Sequence, residues 1–203
     1  MRLFGFALFV LLLVSEHSVF AEALDPSLKL VRAARAQVGV TVSYNPAYVR
    51  LPYPGGDVAP EQGVCTDVIV RAYRTALSID LQKLVHEDMK SSFALYPKQW
   101  GLKRPDPNID HRRVPNLQTL FRRKGASLPV TADPADYRPG DLVTQMLPGN
   151  LPHIAIVSDR RSADGKRPLV IHNIGAGTRE EDGLFAFPVT GHYRFAPISS
   201  SSL

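Results

Sequence analysis

The stretch GVCTDVIVRAYR, residues 63–74, places a cysteine directly before a run of residues with helical periodicity. Apolar residues recur at positions one helical turn apart and predict one buried helix face, formed by Val68, Ile69, Ala72, Tyr73 and Ala76. The helix is therefore expected to begin at or just after Cys65 and to pack against the core of a domain.

Helical patterns also occur on either side of this stretch. Residues 25–39 read DPSLKLVRAARAQVG, with Asp25 as the N-cap and Pro26 at the first helical position. Further helices are predicted from residue 80 to about residue 94 and from residue 115 to residue 124. Helices are therefore expected in the first two thirds of the chain, separated by loops at residues 41–57 and 103–113.

From Pro139 onward the pattern changes to short segments rich in β-branched and aromatic residues. Turn-forming residues separate them and predict an antiparallel meander of GDLVTQML, HIAIVSD, PLVIHNIG, LFAFPV and HYRFAP. Helices packed on one antiparallel sheet make an α+β domain. With no internal repeat and no long linker, residues 22–197 are predicted to form a single domain, and residues 198–203 a disordered tail.

The N-terminus has the pattern of a secretory signal peptide. Arg2 precedes an apolar run at residues 3–14, and a small residue, Ala21, precedes the expected cleavage point. The run is shorter than the roughly 20 apolar residues that a membrane span requires. We therefore expect residues 1–21 to be removed, leaving an exported protein, periplasmic or secreted, with no stable membrane span.

The chain is basic, with a formal net charge of +5 and a sequence pI of about 9.5. A basic exported protein suits the anionic cell envelope. Its basic residues fall in short, scattered groups such as RRK at 122–124 and DRR at 159–161, which are typical of solvated helix ends and loops. A nucleic-acid partner is therefore not expected.

Cys65 is the single cysteine of the chain, so it cannot form an intramolecular disulfide. Such a residue is either a small buried hydrophobe or a thiol kept for its reactivity. At a helix start it would face unsatisfied backbone N–H groups and the positive end of the helix dipole, which favours the thiolate. Asp67 would oppose the thiolate unless its carboxylate caps the helix, which is the role we expect.

Two histidines stand at the ends of successive predicted strands. His153 opens the segment HIAIVSD, and His172 closes PLVIHN. Each could be a structural histidine, and the long turn between these strands leaves their register open. Together with a lone cysteine at a helix start, however, they favour a nucleophile-and-base site.

The ordered set YPGG, Cys at a helix start, RPGDLV, PHIAIV and VIHN resembles the NlpC-type branch of the papain-like cysteine peptidases. The finer pattern CTD, HIAIV, HNIG and GHYRF is similar to the exported YijF-like family within that superfamily. The resemblance extends from about Leu28 to Pro197 and implies a papain-like α+β fold.

The resemblance implies roles for individual residues. Cys65 would be the nucleophile, His153 the general base and His172 the polar group that orients the base. Asn173 is an alternative third member, because the papain group uses an asparagine there and adjacent strand residues point to opposite faces.

Tyr53 matches a tyrosine that such enzymes place near the oxyanion. Asp67 is the second candidate for the oxyanion and substrate region, since this chain has Val-Cys-Thr-Asp where the branch usually has Asp-Cys-Ser-Gly. This departure bears on substrate preference.

The activity implied by the resemblance is hydrolysis of amide bonds in peptidoglycan peptides through a thioester, without a metal or a cofactor. Asp182, His172 and His192 match no standard zinc spacing, so no metal site is predicted. Two alternatives remain open. One is a thiol acyltransferase or another amidase on the same triad, and the other is a non-catalytic module that binds the envelope.

Overall fold

A computed structural model describes residues 25–196, in which a group of helices packs on one antiparallel sheet. The helices are α1 (Pro26–Arg35), α2 (Cys65–Leu77), α3 (Leu81–Ser92) and α4 (Val114–Arg123). The strands are β1 (Ser43–Tyr44), β2 (Gln62–Gly63), β3 (Ser127–Leu128), β4 (Leu142–Leu147), β5 (Leu151–Arg161), β6 (Pro168–Asn173), β7 (Thr178–Glu181) and β8 (Val189–Tyr193). This arrangement confirms the predicted α+β fold class.

The start of α1 follows the predicted capping pattern. The side chain of Asp25 accepts a hydrogen bond from the backbone N–H of Ser27 at 2.8 Å, and Pro26 lies in the first turn. The helix then buries Leu30, Val31 and Ala34 against its neighbours. Local sequence therefore determines both where this helix begins and which of its faces is apolar.

Helix α2 lies at the centre of the domain and packs against α1, α3 and β5. Its predicted apolar face is buried, with Val68, Ile69 and Ala72 fully inaccessible to solvent. Every residue of its first turn and a half is also buried, including Cys65 itself. The central position of α2 places the cysteine inside the molecule.

Strands β3 to β8 form a six-stranded sheet in the order β3-β8-β4-β5-β6-β7, and all neighbouring strands in it are antiparallel. One face packs on the helices through Ile154, Ile156 and Ile171. The other face has its own small apolar core, which Tyr137 and Leu184 cover. The short strands β1 and β2 pair in parallel apart from this sheet.

The structure corrects the predicted strand positions near the C-terminus. The segment LFAFPV, residues 184–189, was expected to be a strand, but most of it forms turns. Strand β7 lies just before it and pairs with β6, with Arg179 opposite His172. Leu184 is fully buried in the second core, whereas Phe185 is exposed and packs edge-on against Tyr137. The segment therefore covers this core without pairing as a strand.

The ends of the chain fall outside the described residues, and with them the predicted signal peptide at 1–21 and the predicted tail at 198–203. Between residues 25 and 196, no helix has both the length and the apolar content needed to cross a membrane.

Candidate active site

Cys65 is the first residue of α2, as its sequence context predicted. Cys65 is 4% exposed and packs in the apolar core that contains Ile154 of β5. Ile154 directly follows His153 in the chain, but its side chain faces the helices, so strand alternation directs the His153 side chain to the opposite face of the sheet.

Asp67 caps α2. Its Oδ2 accepts a hydrogen bond from the backbone N–H of Val64 at 2.7 Å. Its carboxylate also forms a buried ion pair with Arg112, whose Nε and Nη2 donate at 3.0 Å to Oδ1 and Oδ2. Both oxygens are thus occupied within the protein, which agrees with the expected capping role and argues against a role for Asp67 in contacting substrate.

A chain of hydrogen bonds joins the two predicted histidines to a carboxylate. His153 Nε2 lies 2.8 Å from His172 Nδ1, and His172 Nε2 lies 2.9 Å from Glu181 Oε1. Both imidazoles are 2% exposed, whereas the Glu181 side chain is 42% exposed. The sequence did not identify Glu181 as part of the site.

Strand register explains why these three side chains meet. Val157 lies opposite Val170, and strand alternation then puts His153 and His172 on the same face of the sheet. Glu181 lies opposite Val170, two residues from His172, and so belongs to that face as well.

The carboxylate defines the direction of the hydrogen bonds. An ionised Glu181 only accepts, so His172 Nε2 carries a proton and His172 Nδ1 is the acceptor. His153 Nε2 then donates to His172, and the other ring nitrogen of His153, Nδ1, keeps a lone pair. A neutral imidazole with a free ring nitrogen is the form in which a histidine can act as a general base.

Burial shapes the acid–base properties of the site. It raises the pKa of the Cys65 thiol to about 11. It also lowers the pKa of His153 to about 3, and the neighbouring His172 lowers that pKa further. It also lowers the pKa of His172, although Glu181 opposes that shift. Within residues 25–196, no hydrogen bond joins the Cys65 sulfur to His153. The resting site thus holds a neutral thiol and a neutral imidazole, which corrects the expectation of a thiolate.

This electrostatic state predicts how Cys65 reacts with iodoacetamide. Labelling should be slow near pH 6 and should accelerate only as the pH rises into the alkaline range, because a raised pKa means that thiolate appears only at higher pH. At neutral pH the thiolate fraction is expected to be about 100-fold lower than that of a thiol with the reference pKa of 9.0.

Mass spectrometry of the labelled protein across pH measures this profile, with urea-unfolded protein as the control for access. Native labelling near pH 6 that outpaces a short cysteine peptide would instead demonstrate a preformed thiolate–imidazolium pair.

Asn173 does not contact His153. Its side-chain amide donates to the carbonyls of Ser43 and Gly63 at 3.1 and 3.0 Å, and its Oδ1 accepts from the Gly175 N–H. It therefore ties the chain just before Cys65 to β6. Of the two candidates for the third position, the geometry brings only His172 to the base.

Tyr53 is not brought to the cysteine. Its ring lies 4.8 Å from that of His86 on α3, and it is absent from the residues that line the cleft at Cys65. Tyr44 lies there instead and lines the cleft together with Cys65. Parallel pairing of β1 with β2 sets Tyr44 opposite Gly63 and so beside the start of α2.

A cleft of about 230 Å³ opens beside Cys65. Its walls come from the loop after α3, from the start of α4 and from the start of β5, and include Tyr44, Trp100, Arg113, Val114 and Pro152. The thiol is thus buried but adjoins a space large enough for part of a peptide.

The sequence missed Tyr44, Arg112 and Glu181. Tyr44 lies in a segment without regular periodicity, and Arg112 is 45 residues from the carboxylate that it pairs with. Recognition of β7 as a hairpin partner of β6 would have pointed to Glu181. In the part of the chain from 25 to 196, no group of three or more His, Cys, Asp or Glu side chains is arranged to hold a metal ion.

Comparison with known proteins identifies the family of this chain. The model of the family described as "Domain of unknown function (DUF1287)" matches residues 31–195. The "Uncharacterized protein YijF" of Escherichia coli (strain K12) is 52% identical over 190 residues, covering 89% of this chain and 92% of the relative. The predicted resemblance to the YijF-like family is confirmed by this match.

Among solved structures, the "Structure of NlpC2 from Trichomonas vaginalis" is similar to this chain with a TM-score of 0.41 and 15% identity. The alignment covers 82% of this chain and 46% of that one, so this chain spans less than half of the length of the NlpC2 structure. The family match over residues 31–195, together with the E. coli relative, shows that the chain belongs to the DUF1287 family.

Proposed function

We propose that this chain is an exported cysteine hydrolase, periplasmic or secreted, that cleaves amide bonds in the peptide part of peptidoglycan. The observation that supports this best is the hydrogen-bond chain from Glu181 through His172 to His153, which directs the free nitrogen of His153 away from His172. In this proposal, the group that His153 serves when substrate is bound is the thiol of Cys65, which packs beside Ile154 on the helix side of the sheet.

In the proposed mechanism, His153 Nδ1 takes the proton of Cys65 as the sulfur attacks the substrate carbonyl. A covalent bond forms between sulfur and carbon, and the imidazolium then gives its proton to the departing amine. Water, activated by the same histidine, hydrolyses the thioester and restores the thiol. No step uses a metal or a cofactor.

The resting pair is neutral, so charge develops only as substrate reacts. His172 and the Glu181 carboxylate stabilise the imidazolium that forms on His153 and hold its ring in place. The negative charge on the carbonyl oxygen is stabilised by the backbone N–H of Cys65 at the helix start and by the Tyr44 hydroxyl. Burial raises the pKa of Tyr44 to about 12, so its hydroxyl remains a donor.

Peptidoglycan is the proposed substrate for three reasons taken together. The motifs resemble those of NlpC-type peptidases, the N-terminal sequence has the pattern of an export signal, and the net charge of +5 suits an anionic wall. These three observations support the choice of substrate class, whereas the geometry of the site supports the type of reaction.

Digestion of purified sacculi by the mature protein tests the proposal. Mass spectrometry of the soluble fraction should show new peptide fragments whose masses reveal one type of broken amide bond. Adding a free amine distinguishes the acyltransferase, since its products would carry that amine. Binding to sacculi without release of fragments would identify a non-catalytic envelope-binding module and contradict the hydrolase.

A further inference from the structure

The cleft beside Cys65 is lined by two adjacent arginines whose hydrogen bonding differs. All three guanidinium nitrogens of Arg112 are occupied, by the Asp67 carboxylate and by the backbone carbonyls of Asn45 and Ala47. Its side chain is 2% exposed. Arg112 is therefore a structural cation that holds the start of α2 in place.

Arg113 is bound much less completely. Its Nη1 donates to Asp110 Oδ1 at 3.3 Å, a long contact that involves one nitrogen only. Across residues 25–196, neither its Nε nor its Nη2 has an acceptor. These two nitrogens form one edge of the planar guanidinium, the edge that carboxylates bind through two parallel hydrogen bonds.

Trp100 orients this guanidinium. The central carbon of the Arg113 guanidinium lies 4.2 Å from the centre of the Trp100 ring, so the cation stacks on the face of the indole. Stacking restrains the plane of the guanidinium while leaving its edges open to hydrogen bonding. Both side chains line the cleft that contains Cys65.

We propose that the free edge of Arg113, held by Trp100, binds a carboxylate of the substrate next to the amide bond that Cys65 attacks. An extended peptide advances about 3.3–3.6 Å per residue, and a cleft of about 230 Å³ holds only one or two residues. The bound carboxylate therefore belongs to the residue at the cleaved bond or to its neighbour. The preferred substrate class is an acidic peptide, an inference that rests on the proposed function.

Trp100 is the only tryptophan of the chain, so its fluorescence reports on this cleft directly. The Cys65→Ala protein, which cannot form a thioester, is titrated with soluble muropeptides and with the same muropeptides after conversion of their carboxylates to carboxamides. We expect the carboxylate form to change Trp100 fluorescence with a Kd about 10- to 100-fold lower than that of the amide form, since hydrogen bonds to charged groups contribute that much.

Introducing Arg113→Gln into the same protein should bring this ratio of Kd values close to one. Arg113→Lys should retain part of the preference for the carboxylate form, because lysine keeps the charge without the planar fork. Arg104→Gln is the matched control: Arg104 is exposed and does not line the cleft, so the ratio should not change. Thermal unfolding of each variant confirms that its fold is intact.

Equal affinity for the two forms, no binding of either, or a preference that survives Arg113→Gln would each overturn the inference. Digestion of sacculi by the wild-type protein tests the hydrolase proposal separately. A carboxylate preference in a protein that releases no fragments would support the Arg113 subsite and contradict the hydrolase. Fragment release without such a preference would support the hydrolase and contradict the Arg113 subsite.

Discussion

Replacing Cys65 with alanine is expected to reduce the release of peptide fragments from sacculi by about 10³-fold or more, which is typical of the loss of a catalytic nucleophile. The change removes one buried sulfur atom and leaves the backbone N–H groups of the helix start in place. The Cys65→Ala protein should therefore remain folded while losing the group that forms the thioester. Fragment release measured by mass spectrometry, alongside the thermal unfolding curve, separates these two effects.

Cys65→Ser is a nearly isosteric companion variant. Its hydroxyl is a much weaker acid than a thiol, so it too should release almost no fragments although the packing is retained. His153→Ala should reduce fragment release to a similar extent, because in the proposed mechanism His153 takes the thiol proton. Retention of hydrolysis by Cys65→Ala would end the cysteine-hydrolase proposal.

The second large effect is expected at the third position, where His172→Ala and Asn173→Ala make a matched pair of neighbours. His172→Ala should lower the rate of fragment release by about 100-fold, because His153 loses the partner that sets its tautomer and steadies its cation. Glu181→Gln should cause a smaller loss of about tenfold, since an amide can replace the acceptor but not the negative charge.

Asn173→Ala should act on stability instead. The buried carbonyl of Gly63 and the carbonyl of Ser43 would lose their donor, at a cost of about 1–3 kcal/mol in the free energy of unfolding. Steady-state rates together with chemical denaturation measure both quantities for each variant. A larger loss of rate in Asn173→Ala than in His172→Ala, at equal stability, would transfer the orienting role to Asn173.

Local sequence was sufficient to predict the parts of this protein whose physical causes are local. The cap at Asp25 and the spacing of apolar residues after Cys65 predicted two helices and their buried faces. The short β-rich segments after Pro139 predicted the antiparallel sheet, and with it the α+β class. The cysteine at a helix start and the two histidines at strand ends were also visible in the sequence, because strand and helix boundaries depend on nearby residues.

Tertiary structure decided which of these residues meet and how strongly each holds its proton. The register of β5 against β6 put His172, and not Asn173, on the face of His153, and the long turn between these strands hid that register from the sequence. Pairing of distant segments brought in Tyr44 and Glu181. Burial, which depends on the whole packed chain, raised the pKa of Cys65 against the helix-start N–H groups that alone would have lowered it.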